Sequence, residues 1–194
     1  PRFGYMLNVN HQLAYEKAMV RYPWMLDNGA FSEAWNEDIW RKRLEKLSPY
    51  VDTCIAAVVP DVILDAGATL ARWHVYAPEV KALGYKAAFA TQNGCTVGMV
   101  PGDEADVLFI GGSDAHRVRE CWPLIAEAKR RGMWVHVGRV NSMLRIRQFC
   151  RCDSVDGTTF SNELSDRRQE NFIWAIEECN GIKRLQRPLF TLEW

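Results

Sequence analysis

Three aspartates of this 194-residue chain stand where a side chain can do chemistry. Asp27 closes the apolar run "PWMLD" (23 to 27), Asp61 follows "TCIAAVVP" (53 to 60), and Asp156 lies in "CDSVDG" (152 to 157). Other polar groups follow further runs: Gln92-Asn93-Gly94 after "YKAAFAT" (85 to 91), Gly111-Gly112-Ser113 in and after "DVLFIGG" (106 to 112), and Gly138-Arg139 at the end of "MWVHVG" (133 to 138). Repeated carboxylates, without metal-ligand spacing, a Ser-His motif or a cofactor loop, point to displacement at an anomeric carbon. One carboxylate attacks and another manages a proton. Asp and Gln side chains can read the donor and acceptor edge of a nucleobase, with Phe31 stacked on its face. Each aspartate taken singly is equally a helix cap, and Gly111-Gly112 is equally a tight turn or a place where a ligand approaches backbone amides.

For these residues to share a rim, the runs must be strands pointing the same way. With "GYMLN" (4 to 8) there are seven runs, nearly continuous rather than alternating, which suits strands covered on both faces. Asn28-Gly29 by itself is a hairpin signal. The following segment, "SEAWNEDIWRKRLEKLSP", reads instead as a helix. Asn36 caps it, Glu37 and Asp38 favour its first turn, Ile39, Trp40, Leu44 and Leu47 share a face, and Pro49 stops it. Further helices are predicted at 10 to 20, 65 to 83, 114 to 131 with a break near Pro123, 141 to 150, and 162 to 180 closed by Gly181. "NGCTVGMVPGDEA" is too short and Gly-rich for a full helix, so one crossover is abbreviated. His136 reads as a hydrogen-bonded core residue and His116 as a helix-surface residue.

Strands alternating with helices in units of about 25 to 30 residues imply right-handed crossovers and a parallel sheet. A barrel and an open doubly wound sheet both fit this order. No G-x-G-x-x-G follows the first run, which favours an α/β fold of the compact, abbreviated (β/α)8 TIM type, one domain over 1–194, with a last strand drawn from "RPLFTLEW" or irregular. In either fold the C-terminal strand ends host the active site.

Composition narrows the function classes. With 24 basic and 24 acidic residues the formal charge is zero, so a general positive field for coating nucleic acid is excluded and any such contact needs a local patch. Arg139, Arg145, Arg147 and Arg151 supply one, with Arg117, Arg119, Arg167 and Arg168 near other strand ends; a solvated helix surface is the equal alternative. No apolar run approaches the roughly 18 residues that span a bilayer, and the first residues lack signal-peptide order, so a cytoplasmic protein without a membrane partner is expected. Six cysteines, spread through apolar segments, read as reduced thiols. Cys150 and Cys152 form the one close pair, with no third ligand at zinc spacing, so no structural metal is expected.

Taken in order, these motifs resemble the tRNA-guanine transglycosylase superfamily, and at this size its small 7-deazaguanine DNA transglycosylases. "LDNGAF" is similar to the Asp-Ser-Gly-Gly-Phe motif, "VVPD" to the next aspartate-bearing strand, "ATQNG" to the Gln-Gly strand end, "LFIGG" to the hydrophobic-Gly-Gly motif, "VHVGRV" to the Gly-Val-Gly strand and "DSVDGTT" to the nucleophile segment. The series runs from Asp27 to Thr159. The resemblance implies that Asp156 attacks C1′ of a guanine nucleotide, Asp27 is the general acid/base, Phe31 stacks on the base, Asp61 and Gln92 read its edge, the amides around Gly111-Gly112 hold its carbonyl oxygen, and Gly138 belongs to the substrate-binding set. It implies exchange of guanine for a 7-deazaguanine with no cofactor. Asn28 and Ala30 depart from the first motif, and Val155 stands where the family's zinc module has a cysteine. The family's RNA-contacting region has no counterpart in 194 residues, which favours DNA over tRNA as partner. Asp153 is the competing nucleophile, on the opposite face of an extended segment. A tRNA-directed enzyme, an N-glycoside hydrolase of nucleosides or nucleotides, and a non-catalytic base-binding subunit are the remaining alternatives.

Overall fold

Runs rich in β-branched, aromatic and Ala residues form strands here because both of their faces find apolar partners. A computed structural model of the protein describes residues 4–10, 16–31, 35–158 and 166–186, and within 166–186 the side chains of 170–181. The strands are β1 (Tyr5–Asn8), β2 (Trp24–Asp27), β3 (Cys54–Val58), β4 (Ala87–Thr91), β5 (Val107–Ile110), β6 (Trp134–Val137) and β7 (Ser154–Val155). The helices are α1 (Glu16–Met19), α2 (Glu37–Leu47), α3 (Ala66–Ala82), α4 (Trp122–Arg130), α5 (Met143–Gln148) and α6 (Asp166–Gln186). The chain divides into two compact units, Phe3–Val135 and, with Pro1–Arg2, His136–Trp194.

In the first unit β1 to β5 pair in chain order, every pair parallel. Their two-residue period separates two apolar faces. Met25, Ala56, Val58, Ala88, Ala90 and Val107 form one buried cluster, joined by Met6 and Phe109. Trp24, Leu26 and Phe89 take the other parity. Phe89 meets Trp73 of α3 edge-on at 5.5 Å, and the Trp24 indole donates to Thr53 Oγ1 at 3.0 Å. Asn8 and Asp27 lie two residues beyond Met6 and Met25, so strand alternation sets them at the end of the Ala-rich face. Asn36 caps α2 by accepting the Ile39 N–H at 3.0 Å, as its sequence predicts. Trp40, Leu44 and Leu47 are buried, whereas Ile39 is exposed: it sits in the first turn, beside the cap. The crossover between β4 and β5 holds only a 3-10 turn, Val97–Met99, as its glycines required.

The predicted break near Pro123 is present. A single wide helical turn, His116–Glu120, ends at Cys121 before α4 begins at Trp122. His116 is fully buried, which corrects its expected place on the surface. Gly112, at φ +76°, makes room for its ring: a Cβ there would sit 3.0 Å from both His116 Cδ2 and Asn93 Oδ1. Gly112→Ala is expected to cost about 2 kcal/mol, read as a drop in the urea midpoint with an unchanged m-value.

In the second unit β6 and β7 are parallel, with His136 opposite Ser154 and Val137 opposite Val155. Ser142 caps α5 by accepting the Arg145 N–H at 3.3 Å. Helix α6 passes through Gly181 to Gln186, where the sequence suggested closure at Gly181. Part of the helix expected at 10 to 20 and all of "RPLFTLEW" lie outside the described residues. No disulfide joins any of the six cysteines, and no described helix is long and apolar enough to cross a membrane.

Candidate active site

Neither Asp27 nor Asp61 caps a described helix. Asn36 and Asp65 hold those positions for α2 and α3, and Asp156 is followed by Gly157 and Thr158, with α6 described only from Asp166. Each aspartate has other partners, which are described unit by unit.

In the first unit β2 ends on Asp27, half-buried, directly opposite Asn8 of β1. The Asn8 amide donates to Asp27 Oδ2 at 3.3 Å, and Asp27 Oδ1 accepts the Gly29 N–H at 3.4 Å. Asn28 Oδ1 accepts the Ala30 N–H at 2.9 Å, so two successive side chains turn the backbone away after the strand. Gly29 at φ +76° completes that turn, with its missing Cβ close to Val9 and Asn10. "DNGAF" is thus a strand end. Phe31 beyond it is 63% exposed.

Asp61 and Gln92 meet, together with Asn28, which the sequence reading did not place among the site residues. Asn28 Nδ2 donates to Asp61 Oδ1 at 2.9 Å and to the Val59 carbonyl at 3.0 Å; Gln92 Nε2 donates to Asp61 Oδ2. Gln92 Oε1 accepts the Leu64 N–H at 2.9 Å, and Arg72 donates to the Asp61 carbonyl at 2.7 Å. Asn28 and Gln92 are each 2% exposed and Asp61 7%. Burial pushes the Asp61 carboxyl above its ordinary range, against the opposing pull of the Asn28 and Gln92 hydrogen bonds and of Arg72. Gly111 and Gly112 are accounted for by crowding: a Cβ on Gly111 would meet the Thr91 carbonyl at 2.9 Å and Gln92 Nε2 at 3.2 Å. Asn93 bridges to the next strand end, accepting the Ser113 N–H and donating to Ser113 Oγ, both at 2.9 Å. Buried His116 joins Thr91 Oγ1 at 3.2 Å to Glu120 at 3.3 Å.

In the second unit Asp156 follows β7 with its side chain 26% exposed, and its partner is a buried histidine. His136 Nε2 lies 2.9 Å from Asp156 Oδ2, and His136 Nδ1 lies 2.7 Å from Ser154 Oγ. The Arg139 N–H donates to Asp156 Oδ1 at 2.9 Å, and the Val140 N–H to the Asp156 carbonyl at 2.6 Å. Gly138, buried, precedes Arg139. Gly157 has no room for a side chain, since a Cβ would collide with the Val140 carbonyl. His136 is a hydrogen-bonded core residue as expected, and its bond to Asp156 also makes it part of the site. The signal was present in the two-residue spacing of Ser154 and Asp156, which puts both on one face of an extended segment.

Among the described residues two non-glycines adopt left-handed backbone: Leu64 at φ 64° and Arg139 at φ 59°. Each aims its N–H at a site side chain, Leu64 at Gln92 and Arg139 at Asp156. Such a conformation costs about 1 kcal/mol for an L-residue and persists where the surroundings hold it, commonly at functional sites.

The arginines are more engaged than a free patch would be. Arg147 pairs with Glu178 at 3.0 Å and lies over the Trp174 ring at 5.1 Å, and Arg145 donates to Gln148 at 2.5 Å. Arg117 is buried and paired with Asp114, which removes it from the expected surface patch. Arg151 and Arg119 are exposed.

No known protein-family description and no curated protein matches the chain. Among solved structures it is similar to 3-hexulose-6-phosphate synthase from Salmonella typhimurium, with a TM-score of 0.53 and 10% identity over 92% of this chain and 100% of that one. That likeness shows the fold: an abbreviated (β/α)8 barrel of TIM type. The tryptophan synthase alpha subunit from Legionella pneumophila aligns with a TM-score of 0.49 and 9% identity over 90% of this chain and 92% of that one. A phosphodiesterase, PaMucR, in complex with c-di-GMP aligns at 0.47 and 14% identity, over 79% and 66% of the two chains.

Proposed function

We propose that the chain is a base-exchange glycosyltransferase, replacing guanine in DNA by a 7-deazaguanine through a covalent aspartyl intermediate. What supports the reading is the Asp156 carboxylate, accessible after β7, with a directed donor to each of its oxygens from His136 and from the Arg139 N–H. A nucleophile held in this way loses little orientational freedom on attack. In the first displacement an Asp156 oxygen bonds to C1′ while the C1′–N9 bond breaks and its electron pair leaves with guanine, which takes a proton from a general acid. In the second, N9 of the incoming base attacks C1′, the electron pair of the C1′–O bond returns to Asp156, and the base's proton is taken up by the same acid/base group. Two inversions at one carbon retain the anomer.

In this reading Phe31 offers its exposed face to the base. Asp61 and Gln92 meet its edge with the lone pairs and amide hydrogen that their mutual bonds leave, and a carboxyl raised by burial favours the protonated form that can also donate. The Gly111-Gly112 amides join Asp61 and Gln92 in reading the base, and in the other unit Arg139, Arg145 and Arg147 take backbone phosphate. At Arg147 the phosphate would displace Glu178.

Incubation with DNA and radiolabelled guanine, followed by mass spectrometry of the nucleosides after exposure to a panel of 7-deazaguanines, tests the reading. Label entering DNA is the expected result. Abasic sites without incorporation would make the chain a hydrolase, incorporation into tRNA alone would move the substrate to RNA, and binding without either would leave a non-catalytic base-binding protein.

A further inference from the structure

The nucleophile's partner carries an inference that rests on the exchange reading but reaches beyond it. We propose that His136, oriented by Ser154, is the positioning residue that holds Asp156 Oδ2 so that Oδ1 attacks C1′. An ionised carboxylate only accepts hydrogen bonds, so the 2.9 Å contact places a proton on His136 Nε2. In the neutral ring Nδ1 then accepts, and the Ser154 hydroxyl, 2.7 Å away, is the donor that suits it. The Asp156 carboxylate thereby selects the tautomer, and Ser154, whose hydroxyl can donate, satisfies and orients the other ring nitrogen. The parallel register enforces the arrangement, because His136 lies directly opposite Ser154 and Asp156 follows two residues later on the same face.

The two oxygens of Asp156 are not equivalent. Oδ2 faces a donor on a side chain only 4% exposed, whereas Oδ1 faces the N–H of half-buried Arg139. An ester oxygen is a poor acceptor and a carbonyl oxygen a good one. If Oδ2 formed the ester, the buried imidazole N–H would lose its acceptor; if Oδ1 does, the imidazole keeps a carbonyl oxygen throughout. When the incoming base displaces the ester, the electron pair of the C1′–Oδ1 bond returns to a carboxylate whose Oδ2 is already hydrogen-bonded.

The test uses the 194-residue chain and a guanine-containing DNA duplex, with single-turnover formation of the denaturant-stable protein–DNA adduct as the readout, normalised to folded protein by circular dichroism. His136→Leu is expected to slow adduct formation about 100-fold with DNA affinity within a factor of two, the signature of misorientation rather than lost binding. His136→Gln, which can still present an amide N–H, should recover most of that loss, and Ser154→Ala should give a smaller slowing with the same unchanged affinity. Equal rates for the wild type and His136→Leu per folded molecule would overturn the proposal and leave the exchange reading standing. A failure of His136→Gln to exceed His136→Leu would reduce His136 to packing. A wild-type chain that forms no adduct with DNA or tRNA would overturn both.

Discussion

Asp156→Asn is expected to abolish adduct formation and lower base exchange by about 10⁴-fold, the scale seen when a covalent nucleophile is removed. The amide matches the carboxylate in shape but carries no negative charge to attack C1′. Its oxygen can keep the Arg139 N–H while its NH₂ group donates to His136 Nε2, because the ring can move its proton to Nδ1 and donate to Ser154 Oγ. Stability should therefore change by less than about 1 kcal/mol, too little to explain the activity loss. Gel shift of the denatured adduct and label incorporation measure the first effect, and urea unfolding the second. Asp153→Asn serves as the counterpart: should it abolish the adduct while Asp156→Asn retains it, the nucleophile is Asp153.

The second large effect is on stability. Asp61→Ala removes the shared acceptor of Asn28 Nδ2 and Gln92 Nε2, both on side chains 2% exposed, and should cost about 3 kcal/mol at acid pH. The pH dependence has a definite sign. Burial raises the folded-state value of Asp61 above its ordinary 3.8, so the folded chain holds this proton more tightly than the unfolded chain does. The stabilisation from Asp61 is therefore full below pH 3.8 and declines as the pH rises through the raised folded value. The gap in urea midpoint between the wild type and Asp61→Ala is expected to narrow from acid toward neutral pH. A gap that widens would mean that the Asn28 and Gln92 hydrogen bonds outweigh burial, with the ionised form preferred.

The legible features of the sequence were those whose hydrogen bonds and apolar contacts close within a few residues. Asn36 caps α2 three residues away, Trp40, Leu44 and Leu47 repeat at helical spacing, and the helix after Phe31 removes the hairpin that Asn28-Gly29 would otherwise suggest. The position of Asp27 at a strand end, the shortened crossover at Val97–Met99 and the break before α4 follow from the same local rules. His116 and Arg117 were misplaced for the complementary reason: they stand in a charged, helix-like stretch, and what buries His116 is the space left by Gly112 beside Asn93.

By itself, then, the sequence determined the alternation of strands and helices, the parallel α/β class and which polar residues fall at the strand ends, because each depends on period, caps and turns in neighbouring residues. Only the tertiary structure decided who faces whom. Asp61 receives Asn28 and Gln92 from 33 and 31 residues away, and His136 receives Ser154 and Asp156 from 18 and 20. Those partners are chosen by the register of parallel strands, and a slip of one residue would turn each side chain to the other face. The left-handed backbone of Leu64 and Arg139 is likewise stabilised by the acceptors it meets, not by its own residue type.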